Sequence, residues 1–353
     1  MNEARPGPVV LMGSGETSPS GRRVYDWLLR QLPQPVRLAV LETPAGFQPN
    51  TALVAQEVAD FLAKRLQNFR PAVVVVPARR RGAGLGTDNP EILAPLLHAE
   101  GIFLGPGSPT YAVRHLADSL AWHYLLARHR LGTALIMASA ATVAVSAHAL
   151  PVYEIYKVGE DLHWVRGLDL FAAYGLEVVF VPHWDNAEGG AQLDTSHCYV
   201  GAERFARLRA LLPATATVVG IDEHTALVVE VAAQVCRVLG RGGLTVECEG
   251  QAAHFRSGET FPIAQLGNFH AAPSADLPGE VWRAALAAAA EDVPRPPEPP
   301  RAVLALVAKR QAARANRDWS TADSLRREIA SLGWHVSDTP TGPTLSPLSV
   351  PGA

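Results

Sequence analysis

Short apolar runs rich in β-branched residues alternate with longer stretches of helical period along most of this chain, and that alternation leaves few architectures open. Residues 9–12, 36–41, 72–76, 101–104, 134–138 and 177–181 read as strands. Between them, 21–32, 51–69, 89–98, 110–129 and 140–149 carry Leu, Ala and Val at helical spacing. Parallel strands need crossovers of that size, and such crossovers are right-handed. The expected fold class is therefore α/β: a doubly wound, mostly parallel three-layer sandwich. After Ala216 the runs shorten, with strands expected at 217–221, 226–231, 235–239 and 244–248 and Gly240-Arg241-Gly242-Gly243 as turn material. These supply an antiparallel edge on the same sheet.

At 353 residues the chain exceeds one ordinary domain. The expected division is an α/β domain over 8–270, a linker over 271–300, and a small C-terminal helical hairpin over 301–345. The linker holds a short Ala-rich helix at 279–291 and ends in Val293-Pro-Arg-Pro-Pro-Glu-Pro-Pro300. In the hairpin, Leu304, Val307, Ala308, Leu325 and Ile329 are expected to pack while Arg and Lys face out. With 31 basic and 34 acidic residues, net charge −3, no chain-wide field favours nucleic acid or an anionic membrane, so any such partner needs a local patch. Apolar runs are broken well before membrane-spanning length, and no membrane partner is expected. Cys198, Cys236 and Cys248 are too few and scattered for a disulfide framework and read as buried free thiols. Residues 1–8 lack the basic start and apolar core of a secretory leader, so a cytoplasmic location is expected. A homo-oligomer stays open.

In open α/β sheets, ligands bind beyond the carboxyl ends of the strands, which singles out four loops. Gly13-Ser14-Gly15-Glu16 follows the first strand, but Ser18 stands at the third glycine position of a dinucleotide fingerprint, and no cofactor is expected. Gly105-Pro106-Gly107-Ser108-Pro109 precedes a helix starting near Thr110, where free N–H groups suit an oxyanion; a tight turn needing positive φ would use the same residues. Ser139 lies at a strand-to-helix turn, the place of a nucleophile elbow with the Ala140 N–H beside it, or of a plain helix N-cap. His183, at the end of the sixth strand, is a candidate general base. His183, Asp185, Asp194 and His197 lack tight ligand spacing, and no metal is expected.

Leu11-Met-Gly-Ser-Gly-Glu16, the Gly-Pro-Gly turn at 105–107, the elbow at Ser139, Pro182-His183 and Gly220-Ile-Asp-Glu-His-Thr-Ala-Leu227 occur in the order found in the cyanophycinase and aspartyl dipeptidase (dipeptidase E) family of serine peptidases. Over residues 8–270 the chain resembles that family, whose fold is like the class I glutamine amidotransferases. The resemblance implies Ser139 as nucleophile through an acyl-enzyme, His183 as base, and the N–H groups of Gly107 and Ala140 as oxyanion donors. It also implies an acid between nucleophile and base in the sequence. Of Glu154, Glu160 and Asp161, Glu154 follows the elbow helix at about the family spacing, with Glu160 as the alternative. Gly15, Glu16 and Asn186 are expected to contact the substrate, a small peptide or related amide. Met137 and Ala141 stand where the family carries glycines, and bulk two residues before the nucleophile is expected to crowd the turn. An amidotransferase-type glutaminase needs Cys at the elbow, and none is there.

Residues 301–345 resemble the C-terminal helical extension of cysteinyl-tRNA synthetases, with Arg310, Arg314, Asp323, Arg326, Gly333, Asp338 and Gly342 at its recurring positions and Leu345 where that family has Trp. No His-x-Gly-His or Lys-Met-Ser-Lys-Ser stretch precedes it, so the ATP-using core is not expected. The resemblance implies weak tRNA contact through a locally basic segment; structural ion pairs in a docked appendage are the alternative. The leading expectation is a serine hydrolase of the cyanophycinase and dipeptidase E type. Its rival is a catalytically inactive member acting as a binding or tRNA-associated protein.

Overall fold

The computed structural model describes residues 5–82, 84–273, 277–291, 299–339 and 342–347. The chain divides into two compact units, Met1–Ala290 and Glu291–Ala353. In the first, β1 (Val9–Met12), β2 (Arg37–Leu41), β3 (Ala72–Val76), β4 (Gly101–Leu104) and β5 (Ala134–Ala138) form a parallel array. Its crossovers contain α1 (Pro19–Leu29), α2 (Thr51–Arg65), α3 (Pro90–Leu97), α4 (Pro109–Leu116) and α5 (Leu120–Arg130). Side chains alternate across each strand, so both faces of the sheet bury apolar groups. Val9, Leu11, Leu135 and Met137 belong to one core cluster, and Val10, Met12, Ile136 and Ala138 to another. Ser18, which interrupts the glycine fingerprint, caps α1 by accepting from the Gly21 N–H at 3.3 Å.

After β5 comes α6 (Ala140–Ala144), much shorter than the helical pattern of 140–149, then β6 (His148–Ala149) and β7 (Val165–Arg166), which pair with each other. The chain continues through β8 (Val178–Val181), α7 (Ala202–Arg209), β9 (Thr217–Ile221), β10 (Thr225–Glu230), β11 (Val235–Gly240), β12 (Gly243–Cys248), β13 (Gln251–Arg256) and β14 (Thr260–Pro262). β10, β11 and β14 extend the main sheet antiparallel, giving the order β14-β11-β10-β1-β5-β4-β2-β3. β8, β9, β12 and β13 instead form a second sheet, in the order β13-β12-β9-β8. The 240–243 stretch is accordingly no hairpin turn, because it carries the chain from the main sheet to the second one. Gly240 makes that step at φ +124°, where a Cβ would come within 2.3 Å of the His224 carbonyl oxygen.

α8 (Gly279–Glu291), expected inside a linker, packs on the first unit instead. Val281 and Ala285, one turn apart, sit in its core. The Pro-rich stretch expected at 293–300 lies largely outside the described residues.

The second unit contains α9 (Arg301–Ala315), α10 (Trp319–Ser331) and, beyond the helical hairpin the sequence suggested, a β-hairpin of β15 (Trp334–Thr339) and β16 (Gly342–Pro347). Its core is Val303, Val307, Ile329, Trp334 and Val336. Leu304 and Ala308 are exposed, because the buried stripe runs Val303, Val307, Arg310. Arg310 enters that stripe, against the expectation that every cation faces out, since Asp338 neutralises it through bonds of 2.9 and 2.8 Å from its two terminal nitrogens. Arg314 reaches the same carboxylate at 3.3 Å. Among the described residues, no helix is long and apolar enough to cross a membrane. All three cysteines are free; Cys198 and Cys236 are buried and Cys248 is half-buried.

Candidate active site

The first component is the turn after β5. Ser139 has φ +51° and ψ −107°, a conformation that a residue with a Cβ holds only when its surroundings impose it. The Met12 carbonyl at the end of β1 does so by accepting from the Ser139 N–H at 3.2 Å and the Thr142 hydroxyl at 2.9 Å. The elbow is thus tied to the neighbouring strand. Met137 does not prevent it, because that side chain is fully buried in the core cluster that also contains Leu11, Leu104 and Ala141.

The second component comes from the other sheet. β8 and β9 are parallel neighbours with Val181 opposite Gly220, so the loops leaving their carboxyl ends lie side by side. One presents His183 at φ +52°, and the other presents Glu223. The His183 Nε2 is 3.0 Å from the Ser139 Oγ, and its Nδ1 is 3.0 Å from a Glu223 carboxylate oxygen. Serine, imidazole and carboxylate therefore form one continuous chain. The Asn186 amide donates to the same Glu223 oxygen at 2.8 Å, while the Glu223 N–H donates to Asp185 at 2.7 Å. The hydrogen bond with His183, reinforced by Asn186 against the opposing effect of partial burial, holds the Glu223 carboxyl down to about 2. It is a carboxylate at any working pH.

The acid is the main correction to the sequence reading. Glu154 faces Thr110, whose hydroxyl donates to it at 2.6 Å, and Glu160 lies 3.8 Å from His163; neither meets His183. Glu223 follows the base in sequence, whereas the family resemblance implies an acid between nucleophile and base. The signal available was the stretch 220–227, whose acidic pair falls directly after a strand.

Asn186, expected on substrate, is buried against Glu223 and positions it. Gly15 packs against the His224 ring, and the Glu16 carbonyl accepts from the Tyr25 hydroxyl at 3.0 Å. Ala140 is the first residue of α6, where an N–H has no partner within the helix. Gly107 lies in the loop after β4, the strand hydrogen-bonded to β5, with Leu104 opposite Met137. Its φ is +153°, and a Cβ there would be 1.9 Å from the Pro44 carbonyl oxygen, so the loop admits only glycine. Of His183, Asp185, Asp194 and His197, His183 lies between Ser139 and Glu223, Asp185 accepts from the Glu223 N–H, Asp194 accepts from the Ser196 and Ala202 N–H groups, and His197 packs between Trp184 and Phe205.

Ser139 and His183 open onto a cleft of about 490 Å³ bounded by Val152, Tyr153, Tyr156, Leu193 and Tyr199, with Lys157 and Glu188 as its charged members. Burial, then the charges of Glu188 and Glu223, push the Tyr199 phenol up to about 12. It stays a neutral donor. The site as a whole can activate a hydroxyl, stabilise an imidazolium and hold an apolar group beside the nucleophile.

The structure is similar to that of a peptidase from an acI-B1 Actinobacterium, with TM-score 0.58 and 18% identity, covering 74% of this chain and 98% of that one. Residues 296–342 match the family described as cysteinyl-tRNA ligase anticodon binding domain. The cysteine–tRNA ligase of Rubrobacter xylanophilus is 49% identical over 49 residues, 14% of this chain and 10% of the ligase. That of Opitutus terrae is 47% identical over 58 residues, 16% of this chain and 13% of the ligase. The chain thus spans only about a tenth of the length of the curated ligases it matches. It joins the fold of a peptidase to a segment similar to the anticodon binding domain of a tRNA ligase.

Proposed function

We propose that this protein is a serine-type hydrolase acting on a peptide or related amide through an acyl-enzyme on Ser139. The observation that carries the reading is the unbroken hydrogen-bond chain from Ser139 through His183 to Glu223, set on a strained turn. Strain at a hydroxyl-bearing residue is costly to fold, and a structural N-cap has no need of it. In the reaction, His183 takes the Ser139 proton as the oxygen attacks the carbonyl, and Glu223 fixes the tautomer and stabilises the imidazolium. The N–H groups of Ala140 and Gly107 receive the oxyanion. His183 then protonates the leaving amine, and water reverses the sequence to release the acid. A fluorophosphonate probe should label the wild type and not Ser139→Ala; an unlabelled, folded wild type would favour a catalytically silent binding protein.

A second activity is favoured by the match of residues 296–342: contact between the second unit and tRNA. Arg310 and Arg314 are bound to Asp338, which leaves that role to Lys309, Arg317, Arg326 and Arg327.

A further inference from the structure

The cleft at Ser139 does not end at the triad. It shares Tyr153 and Lys157 with a hollow of about 660 Å³ that also takes in Phe47, Tyr111 and Arg114. That hollow shares Phe47 and Tyr111 with another, of about 580 Å³, bounded by Arg80 and His115. Their common walls make one groove leading away from the nucleophile.

The groove has a distinct chemistry. Phe47 lies 5.2 Å from Tyr111 and Tyr111 lies 4.3 Å from His115, ring centre to ring centre, so a row of aromatic side chains lines it. Phe47 and Tyr153 are 51% and 43% exposed, unusual for rings that nothing covers. The flanking cations are of two kinds. Arg79 and Arg81 are held by Glu42 and Asp88, at 2.6 and 3.6 Å. Arg80, Arg114 and Lys157 are exposed and form no carboxylate ion pair among the described residues. Burial, followed by the charges of Arg114, Arg80 and Arg81, keeps His115 below its ordinary range. Two carboxylates also line the groove: Glu154, bonded by Thr110 at 2.6 Å, and Glu188 in the cleft beside Ser139.

Exposed rings between cations that have no carboxylate partner among the described residues, with Lys157 over the Tyr156 ring at 4.8 Å, complement single-stranded polynucleotide, whose bases stack on the rings while its phosphates meet the charges. The inner end of the groove demands an acyl carbon at Ser139. An aminoacyl-tRNA combines the two, since its unpaired 3′ end carries an amino acid as an ester. We propose that the groove receives the acceptor end of an aminoacyl-tRNA and that Ser139 hydrolyses its ester. The proposal rests on the triad reading above and gives that site its substrate; the tRNA-ligase-like segment at 296–342 is a separate sequence signal in the same direction.

The chemistry balances without a co-reactant other than water. The Ser139 oxygen bonds to the aminoacyl carbon, and its proton passes to His183. The bond to the ribose oxygen breaks, and that oxygen takes the proton from His183. Water then attacks the acyl-serine, giving free amino acid, uncharged tRNA and the starting enzyme.

The test uses the full chain and total bacterial tRNA charged with radiolabelled amino acids, with release of label followed against spontaneous hydrolysis. Wild type should release label and Ser139→Ala should not. Arg80→Glu with Arg114→Glu should raise KM at least about tenfold while altering kcat little, and Arg80→Gln with Arg114→Gln should shift KM the same way by less. Release by the wild type should also weaken as salt rises. A protein that takes the fluorophosphonate label and cleaves short acidic peptides, yet does not release label from charged tRNA, overturns the proposal and leaves the hydrolase reading standing. A KM unmoved by the arginine changes overturns the groove assignment. Failure to take the fluorophosphonate label would count against the triad reading itself.

Discussion

Glu223 is the residue on which the site's electrostatics turn. It accepts from His183 and Asn186, and it is fixed at its own N–H by Asp185. Glu223→Gln preserves shape and removes the charge that stabilises the imidazolium, so kcat on a cleaved peptide should fall about 10²–10⁴-fold. Glu160→Gln, on a surface contact with His163, should leave it within about twofold. Glu223→Gln also has a stability signature. The folded carboxyl titrates at about 2 rather than 4.5, so its stabilisation is complete above 4.5 and is lost as pH falls toward 2. The urea midpoint of wild type should exceed that of Glu223→Gln at neutral pH and converge on it across that window. A gap that stays constant down to pH 2 would mean the charge contributes nothing to folding. Ser139 and His183 were legible in the sequence because each follows a strand. Glu223 was not, because it lies 40 residues from His183 along the chain and only the pairing of β8 with β9 joins them.

At the scale of elements, the elbow between β5 and α6 stores strain that a stability measurement can read. Ser139→Ala and Ser139→Gly both lose the hydroxyl and its bond to His183, so they differ in backbone preference alone. Glycine carries more unfolded-state entropy, yet relief at φ +51° and ψ −107° should outweigh it. We expect Ser139→Gly to be about 1 kcal/mol more stable than Ser139→Ala by chemical denaturation. Equal stabilities would show a relaxed turn. The strands feeding this turn were readable from their apolar runs, but the length of α6 was not. Residues 140–149 keep a helical period throughout, yet the helix stops at Ala144 because His148 and Ala149 pair with Arg166 and Val165. Local spacing is blind to such tertiary competition. The turn's tolerance of Met137 was hidden for a similar reason, since only packing shows that its side chain belongs to the core.

For the first unit as a whole, the sequence disclosed the parallel array and its antiparallel extension but not the second sheet. A strand's composition reports burial and leaves its partner unspecified. The consequence of that second sheet is mechanical. The nucleophile rides on one sheet and the base on the other, with the acid on the short 222–224 link from β9 to β10, so a slip of about 1 Å between the sheets would break the contact between Ser139 and His183 without unfolding either. Turnover should therefore fail at lower urea than the loss of far-ultraviolet circular dichroism, and coincident midpoints would show the two layers to be one cooperative block. Heat resistance would be limited by the seam between layers. Substitutions that strengthen only the parallel array would raise the melting temperature yet leave unchanged the temperature at which the proposed turnover stops.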